Sequence, residues 1–221
     1  MDLSTINWGN LIVGIFALFL SISFHETAHG YVAYLRGDET AKRAGRLTLN
    51  PIAHIDIWGT IIFPLILFIT HLPIIGWAKP VPVNVRNLKN PKKDVLYVAL
   101  AGPFSNVLLG FFFFGLLFIM IKAVPVNNPS LISILKPIVL FFTLSIQINF
   151  LLAFFNMIPI PPLDGSTILE YFIPYKYRDI YYSIRTYGFI ILILAFIFLP
   201  FSIIFYPVQI FINFLFSLLA H

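Results

Sequence analysis

Two histidines and a glutamate stand together in an apolar stretch, at His25-Glu26-Thr27-Ala28-His29. Residues four apart on an α-helix lie nearly above one another, so both imidazoles can reach a single metal ion. Glu26, beside the first histidine, is placed to take a proton from a water activated by that ion. Such a metal brings the pKa of water to about 7 and polarises a carbonyl, so one ion prepares both partners of a hydrolysis. A chance run of polar residues on a solvated helix is the alternative, and the surroundings speak against it. Ionisable side chains at membrane depth cost roughly 2.5 kcal/mol or more each, and a cluster of three calls for a compensating partner such as a metal. The chain has no cysteine, so thiolate sites and disulfides are excluded and any ligand must be His, Asp or Glu.

A catalytic zinc usually takes three protein ligands and keeps a fourth position for water. Asp164 is the leading candidate for the third. It lies in Asn156-Met157-Ile158-Pro159-Ile160-Pro161-Pro162-Leu163-Asp164-Gly165, where prolines end a helix and Gly165 permits an unusual turn. Capping a helix that starts near Ser166 is the competing role for Asp164, and the residues alone leave the two balanced.

The elements that must position these residues are membrane helices. The chain has 221 residues, 59% of them hydrophobic and only 10% charged, with 25 phenylalanines; a soluble domain of this length could not cover its surface with so few polar groups. The net charge of +5 does not point to nucleic acid, because the Lys and Arg residues sit in short blocks between apolar runs and read as topology signals. The segment MDLSTINWGN lacks a basic n-region and a small-residue cleavage site, so the first apolar run is expected to stay as a structural helix.

At about 20 residues per span, helices are predicted over 8–35, 94–123 and 131–158, with two more in 184–219 separated by Pro200. The run 57–72 is interrupted by Gly59 and Pro64 and is expected to re-enter rather than cross. Re-entry places the basic loops carrying Arg36, Lys42, Arg43 and Arg46, and then Lys79, Arg86, Lys89, Lys92 and Lys93, on one cytoplasmic side, with the N-terminus outside. The fold expected is an all-α polytopic membrane protein of five to six transmembrane helices, with a re-entrant segment and short extended strands near the active site. Residues 1–221 are read as one domain, with a motif-bearing core over about 8–170 and a C-terminal helical pair over about 184–219. The helices ending in the two motifs run the same way, which brings His25, His29 and Asp164 to the cytoplasmic half. The alternating Lys79-Pro80-Val81-Pro82-Val83-Asn84 favours an extended backbone, either to pair with an unwound substrate or as an interfacial loop.

HETAHG taken with NMIPIPPLDG resembles the site-2 protease family of intramembrane zinc metalloproteases, in a compact form without an accessory soluble domain. Ala101-Gly102-Pro103-Phe104-Ser105-Asn106 resembles the Ala-Gly-Pro-x-x-Asn element of that family, and Gly76-Trp77-Ala78-Lys79-Pro80-Val81-Pro82-Val83-Asn84 resembles its preceding loop. The resemblance covers about residues 10 to 170. It implies one zinc ion held by His25, His29 and Asp164, with Glu26 as general base. It also implies Asn156 near the reacting centre, where its amide would donate to a developing oxyanion or merely tie down the proline-rich turn. Asn106 would support the site or bond a neighbouring helix, and His54 is a candidate accessory ligand. The substrates implied are membrane-anchored proteins cut in regulated intramembrane proteolysis, in a prokaryotic plasma membrane with the site toward the cytoplasm. Two other readings use the same residues: a membrane-embedded zinc protease cutting soluble tails, and a divalent-metal transporter with His and Asp as pathway ligands.

Overall fold

The computed structural model describes residues 7–70, 76–123, 129–199 and 201–219, and these are helical with irregular connections and no strand. They form two compact units, Ile22–Gly102 and a second made of Met1–Ser21 with Pro103–His221. Helices α1 (Trp8–Leu35) and α4 (Pro91–Ala123) each contribute to both.

Helix α1, Trp8–Leu35, carries the His-Glu-x-x-His residues and ends where the sequence first allows it. Gly37 has a φ of 106°, and the bonds from Gly37 N–H to Tyr34 O and from Asp38 N–H to Ala33 O close the helix in a Schellman motif. The short α2, Thr40–Arg43, ends the same way at Gly45, with a φ of 66°. A 3-10 turn over Pro51–His54 follows. The run predicted to re-enter begins as a π turn over Ile57–Ile62, capped by Asp56, and continues as the short α3, Phe63–Ile69; residues 71 and 72 lie outside the described residues, as do His71 and His221. The expected strands near the site are absent among the described residues. Residues 77–84 have no regular secondary structure; Pro80 and Pro82 supply no N–H, so this stretch cannot build a regular ladder.

Helix α4, Pro91–Ala123, opens on a proline, whose missing N–H costs nothing in the first turn. Asp94, 1% exposed, accepts the Asn90 N–H at 2.7 Å and pairs with Arg36 at 3.6 Å. In the same unit Ala33, Leu88 and Val98 form a small buried core, with Val32, Val83 and Val95 packed against it.

The other unit contains α5, Pro129–Asn156, α6, Asp164–Phe172, α7, Arg178–Thr186, α8, Gly188–Phe198, and α9, Phe201–Ser217. Phenylalanine rings stitch it together: Phe150 of α5 lies 5.1 Å from Phe211 of α9 and 5.2 Å from Phe111 of α4. The α4–α5 approach is close because Gly110 has no side chain; a Cβ there would lie 3.0 Å from the Phe150 ring. Deeper still, Asn106 donates to Asn149 Oδ1 at 2.8 Å and to Ser21 O at 3.1 Å, while Asn149 donates to Ser21 Oγ at 2.8 Å. All three residues are fully buried, and hydrogen bonds of this kind hold helices together where no hydrophobic force distinguishes protein from lipid.

Among the described residues three helices are long and apolar enough to cross a membrane, in α1, α4 and α5, or four if the bent pair α7 and α8 forms one broken span. The five to six spans expected from the sequence are not all matched by helices of full length. Helix α8 has 11 residues, about 16 Å of helix against a hydrocarbon core of about 30 Å. Pro200, expected to divide the last apolar stretch, lies outside the described residues. The basic stretch 176–185 is largely helical: α7 sets Tyr181 on a buried face while Arg185 pairs with Glu170.

Candidate metal centre

The α1 turn from His25 to His29 delivers what its spacing promises. The two Nε2 atoms lie 3.0 Å apart, with ring centroids 4.6 Å apart and planes 84° to one another. Two nitrogens on one tetrahedral zinc, each bonded at about 2.05 Å, stand about 3.3 Å apart, so the pair is already close to chelating separation. The protonation pattern agrees. His29 Nδ1 lies 2.6 Å from Val98 O; a carbonyl can only accept, so Nδ1 carries the proton and Nε2 presents its lone pair. This carbonyl–imidazole contact is the usual way a protein orients a metal-binding histidine.

Gly102 of α4 makes room for the rings. A Cβ built there would lie 2.4 Å from His29 Nε2 and 2.6 Å from His25 Nε2, against both ring nitrogens. Glu26 is held as well, its Oε2 accepting the Val81 N–H at 2.8 Å. The donor set fits zinc: two imidazole nitrogens, the His29 tautomer set by the Val98 carbonyl, with an adjacent carboxylate and no side chain at Gly102 to crowd them.

Asp164 occupies the first position of α6, whose N-cap is Leu163, with no side-chain cap bond. The helix therefore starts two residues earlier than expected, and Asp164 is not its N-cap. Gly165 is needed for closeness and not for an unusual φ, since a Cβ there would meet Met157 O at 2.3 Å and Ile158 O at 2.5 Å. Ser166 Oγ donates back to Leu163 O at 2.7 Å, and a cis Pro161–Pro162 bond lies in the preceding turn.

The remaining sequence-predicted residues make bonds of their own. Asn156, the last residue of α5, donates to Leu152 O one turn back at 3.0 Å. Asn106 gives its amide hydrogens to the buried network with Ser21 and Asn149. His54, 3% exposed, is bonded through Nε2 to Thr48 O at 2.8 Å, a carbonyl that also accepts from Thr27 Oγ1 at 2.7 Å; it ties the 48–54 loop to α1 and stands outside the metal group. Sequence reasoning passed over Gly102, the Val98 carbonyl and the Val81 amide. A glycine within a long apolar helix was the available signal for the first, since small residues there mark close approach.

Just beyond α1, Asp38 is fully buried and accepts the Asn84 N–H at 2.6 Å and the Asn87 amide at 2.9 Å. Burial alone would push its carboxyl up, but bonds from the Thr40 hydroxyl, the Asn87 side chain and the Asn84 and Thr40 backbones outweigh it and hold the carboxyl below its usual range.

The chain matches peptidase family M50 over residues 13–199. Three curated relatives carry the printed name "Putative zinc metalloprotease". YwhC of Bacillus subtilis (strain 168) is 41% identical over 81% of this chain and 78% of its own length. MJ0611 of Methanocaldococcus jannaschii is 30% identical over 72% and 70%, and Rip2 of Mycolicibacterium smegmatis 27% identical over 82% and 67%. No solved structure matches the chain. With apolar helices long enough to cross a bilayer and a histidine pair set at zinc-binding separation, the chain belongs to peptidase family M50, the site-2 protease family of membrane-integral, zinc-dependent metalloproteases.

Proposed function

We propose that the chain is one membrane-embedded protease domain that hydrolyses a peptide bond of membrane-anchored proteins, with zinc held by His25, His29 and Asp164 and Glu26 as general base. The observation that carries this reading is the histidine pair itself: Nε2 atoms 3.0 Å apart, with His29 fixed as the Nδ1–H tautomer by the Val98 carbonyl. Asp164 is taken as third ligand from the pairing of the His-Glu-x-x-His and proline-rich motifs in the sequence. Zinc, when bound there, acidifies a water and polarises the scissile carbonyl.

Glu26 takes a proton from the attacking water while the water oxygen bonds to the carbonyl carbon. It then delivers that proton to the amide nitrogen as the C–N bond breaks. Asn156 lies on the leading edge of the proline-rich turn and is available to bond substrate backbone. Run 57–72 dips into the bilayer and returns, the N-terminus is outside, and the site faces the cytoplasm of a prokaryotic cell; the basic loops on either side of that run support this orientation. Cleavage there releases a cytoplasmic segment of the substrate, as in regulated intramembrane proteolysis.

The test compares Glu26→Gln and Asp164→Ala with the parent by metal analysis and by proteolysis of a membrane-anchored substrate, with cut sites mapped by mass spectrometry. Glu26→Gln should keep zinc and lose turnover by about 10²- to 10⁴-fold; Asp164→Ala should lose zinc. Retention of full zinc affinity by Asp164→Ala would remove that residue from the ligand set. Cuts confined to polar tails would exclude membrane-level cleavage.

A further inference from the structure

Glu26 is gripped through its Oε2 by the proline-rich segment 79–84. We propose that residues 79–84 form a strap whose Val81 amide positions the general base, making Val81 a positioning residue for the reaction. The proposal rests on the reading of Glu26 as that base.

The sequence of the strap leaves its backbone few donors. Pro80 and Pro82 have no N–H, so between Lys79 and Val83 the Val81 amide is the one backbone donor, and it goes to Glu26 Oε2 at 2.8 Å. That amide is fixed from both directions. Upstream, the Lys79 N–H bonds to His54 O at 2.9 Å, and Arg46 donates to Lys79 O at 2.7 Å and to Pro80 O at 3.4 Å. Downstream, the Asn84 N–H is bonded to the buried Asp38 carboxylate at 2.6 Å. The strap thus runs beside α1 from Glu26 toward the helix end, pinned to an acidic side chain at each extreme.

Gly30 is the seat for it. A Cβ at that position would lie 2.8 Å from Val81 Cγ1, and 3.2 Å from Ala41 Cβ, so the glycine following the second histidine is the residue that lets Val81 lie against the helix. Val81 is 7% exposed, which shields its hydrogen bond from water. With Oε2 engaged, the carboxylate plane is set and Oε1 is left to carry the proton. A group held in place by supporting bonds loses little on reaching its reactive geometry, and removing such support typically lowers activity about 10- to 100-fold.

The experiment replaces Val81 by its α-hydroxy acid through nonsense suppression, which turns the 80–81 peptide into an ester and deletes one hydrogen. Expected are a kcat lowered about 10- to 100-fold, with KM, zinc content and melting temperature unchanged. Gly30→Ala should lower kcat by crowding Val81, and Gly30→Ala/Val81→Ala should recover most of it, because the second change removes the methyl that is struck. A kcat within about twofold of the parent for the ester, or a loss in which KM and melting temperature move together with kcat, overturns the proposal; so does a double variant no faster than Gly30→Ala alone. Glu26→Gln is run beside them. If it retains turnover, the reading of Glu26 as base has failed; if it is inactive while the ester enzyme runs at full rate, only the strap has failed.

Discussion

Gly102→Ala adds one methyl group, and the structure says where it lands. The new carbon would stand 2.4 Å from His29 Nε2, 2.5 Å from His25 Cε1 and 2.6 Å from His25 Nε2, roughly 1 Å inside ordinary contact. Both rings must turn away. Each ring pushed off its rotamer costs about 0.5–1.5 kcal/mol, and His29 gives up its bond to Val98 O, worth about 1 kcal/mol. Against this, alanine stabilises a helix interior by about 0.5–1 kcal/mol over glycine. The fold should therefore survive with a net loss of about 1–3.5 kcal/mol, while the metal faces displaced ligands and a methyl in its place. Disturbing a support of a ligand costs about 10- to 100-fold in metal affinity, and displacing two ligands should cost more than about 100-fold. The assay is competitive zinc titration against a chromophoric chelator on detergent-purified protein, with melting of the apo form as the folding control. A Gly102→Ala protein that binds one zinc with parental affinity would refute the placement of the ion before these two nitrogens.

Asp38 gives a pH prediction. Its folded carboxyl lies below the ordinary value, so its stabilisation is complete above about pH 4 and is lost as pH falls through the folded value. Asp38→Asn should cost about 1–3 kcal/mol at neutral pH, with a melting difference from the parent that shrinks toward about pH 3; a difference constant with pH would exclude the carboxylate as its source. For the buried amides, Asn106→Ala, Asn149→Ala and the double variant should show a coupling of about 0.6 kcal/mol and at most about 1.7 kcal/mol in denaturant unfolding. Strict additivity would mean that the 2.8 Å bond between them contributes nothing.

Local rules made α1 readable. The four-residue spacing of His25 and His29 needs only helical geometry, and the stop at Gly37 needs only the left-handed backbone that glycine tolerates. Asp164 was readable only as a balance between two roles, because N-cap and first-turn positions differ by one residue and the sequence does not fix the helix start. The same weakness hid α7: a basic, tyrosine-rich stretch looks like a loop until one sees that Tyr181 is buried, its hydroxyl on Ser166 O at 2.5 Å. The strands failed for a different reason. Proline and valine alternation does specify an extended chain, but a ladder needs N–H groups that two prolines withhold. Gly102, the Val98 carbonyl and the Val81 amide were hidden because their roles depend on which helix face meets which neighbour, and backbone groups carry no mark in the sequence.

That last point explains how three ionisable residues persist in an apolar helix. The expense of carrying them in an apolar helix is lowered when each has a fixed polar partner, and for His29 and Glu26 the partners are main-chain groups. His29 uses a Val98 carbonyl, whose second lone pair remains for the helix ladder. Glu26 uses an amide that its flanking prolines keep out of any helix or sheet. Glycines at 30 and 102 bring these partners within reach, since a side chain at either position would strike the strap or the imidazoles. Substitutions at these glycines should therefore be as damaging to catalysis as loss of a ligand, though neither contributes an atom to the reaction, and both should leave the helix itself intact.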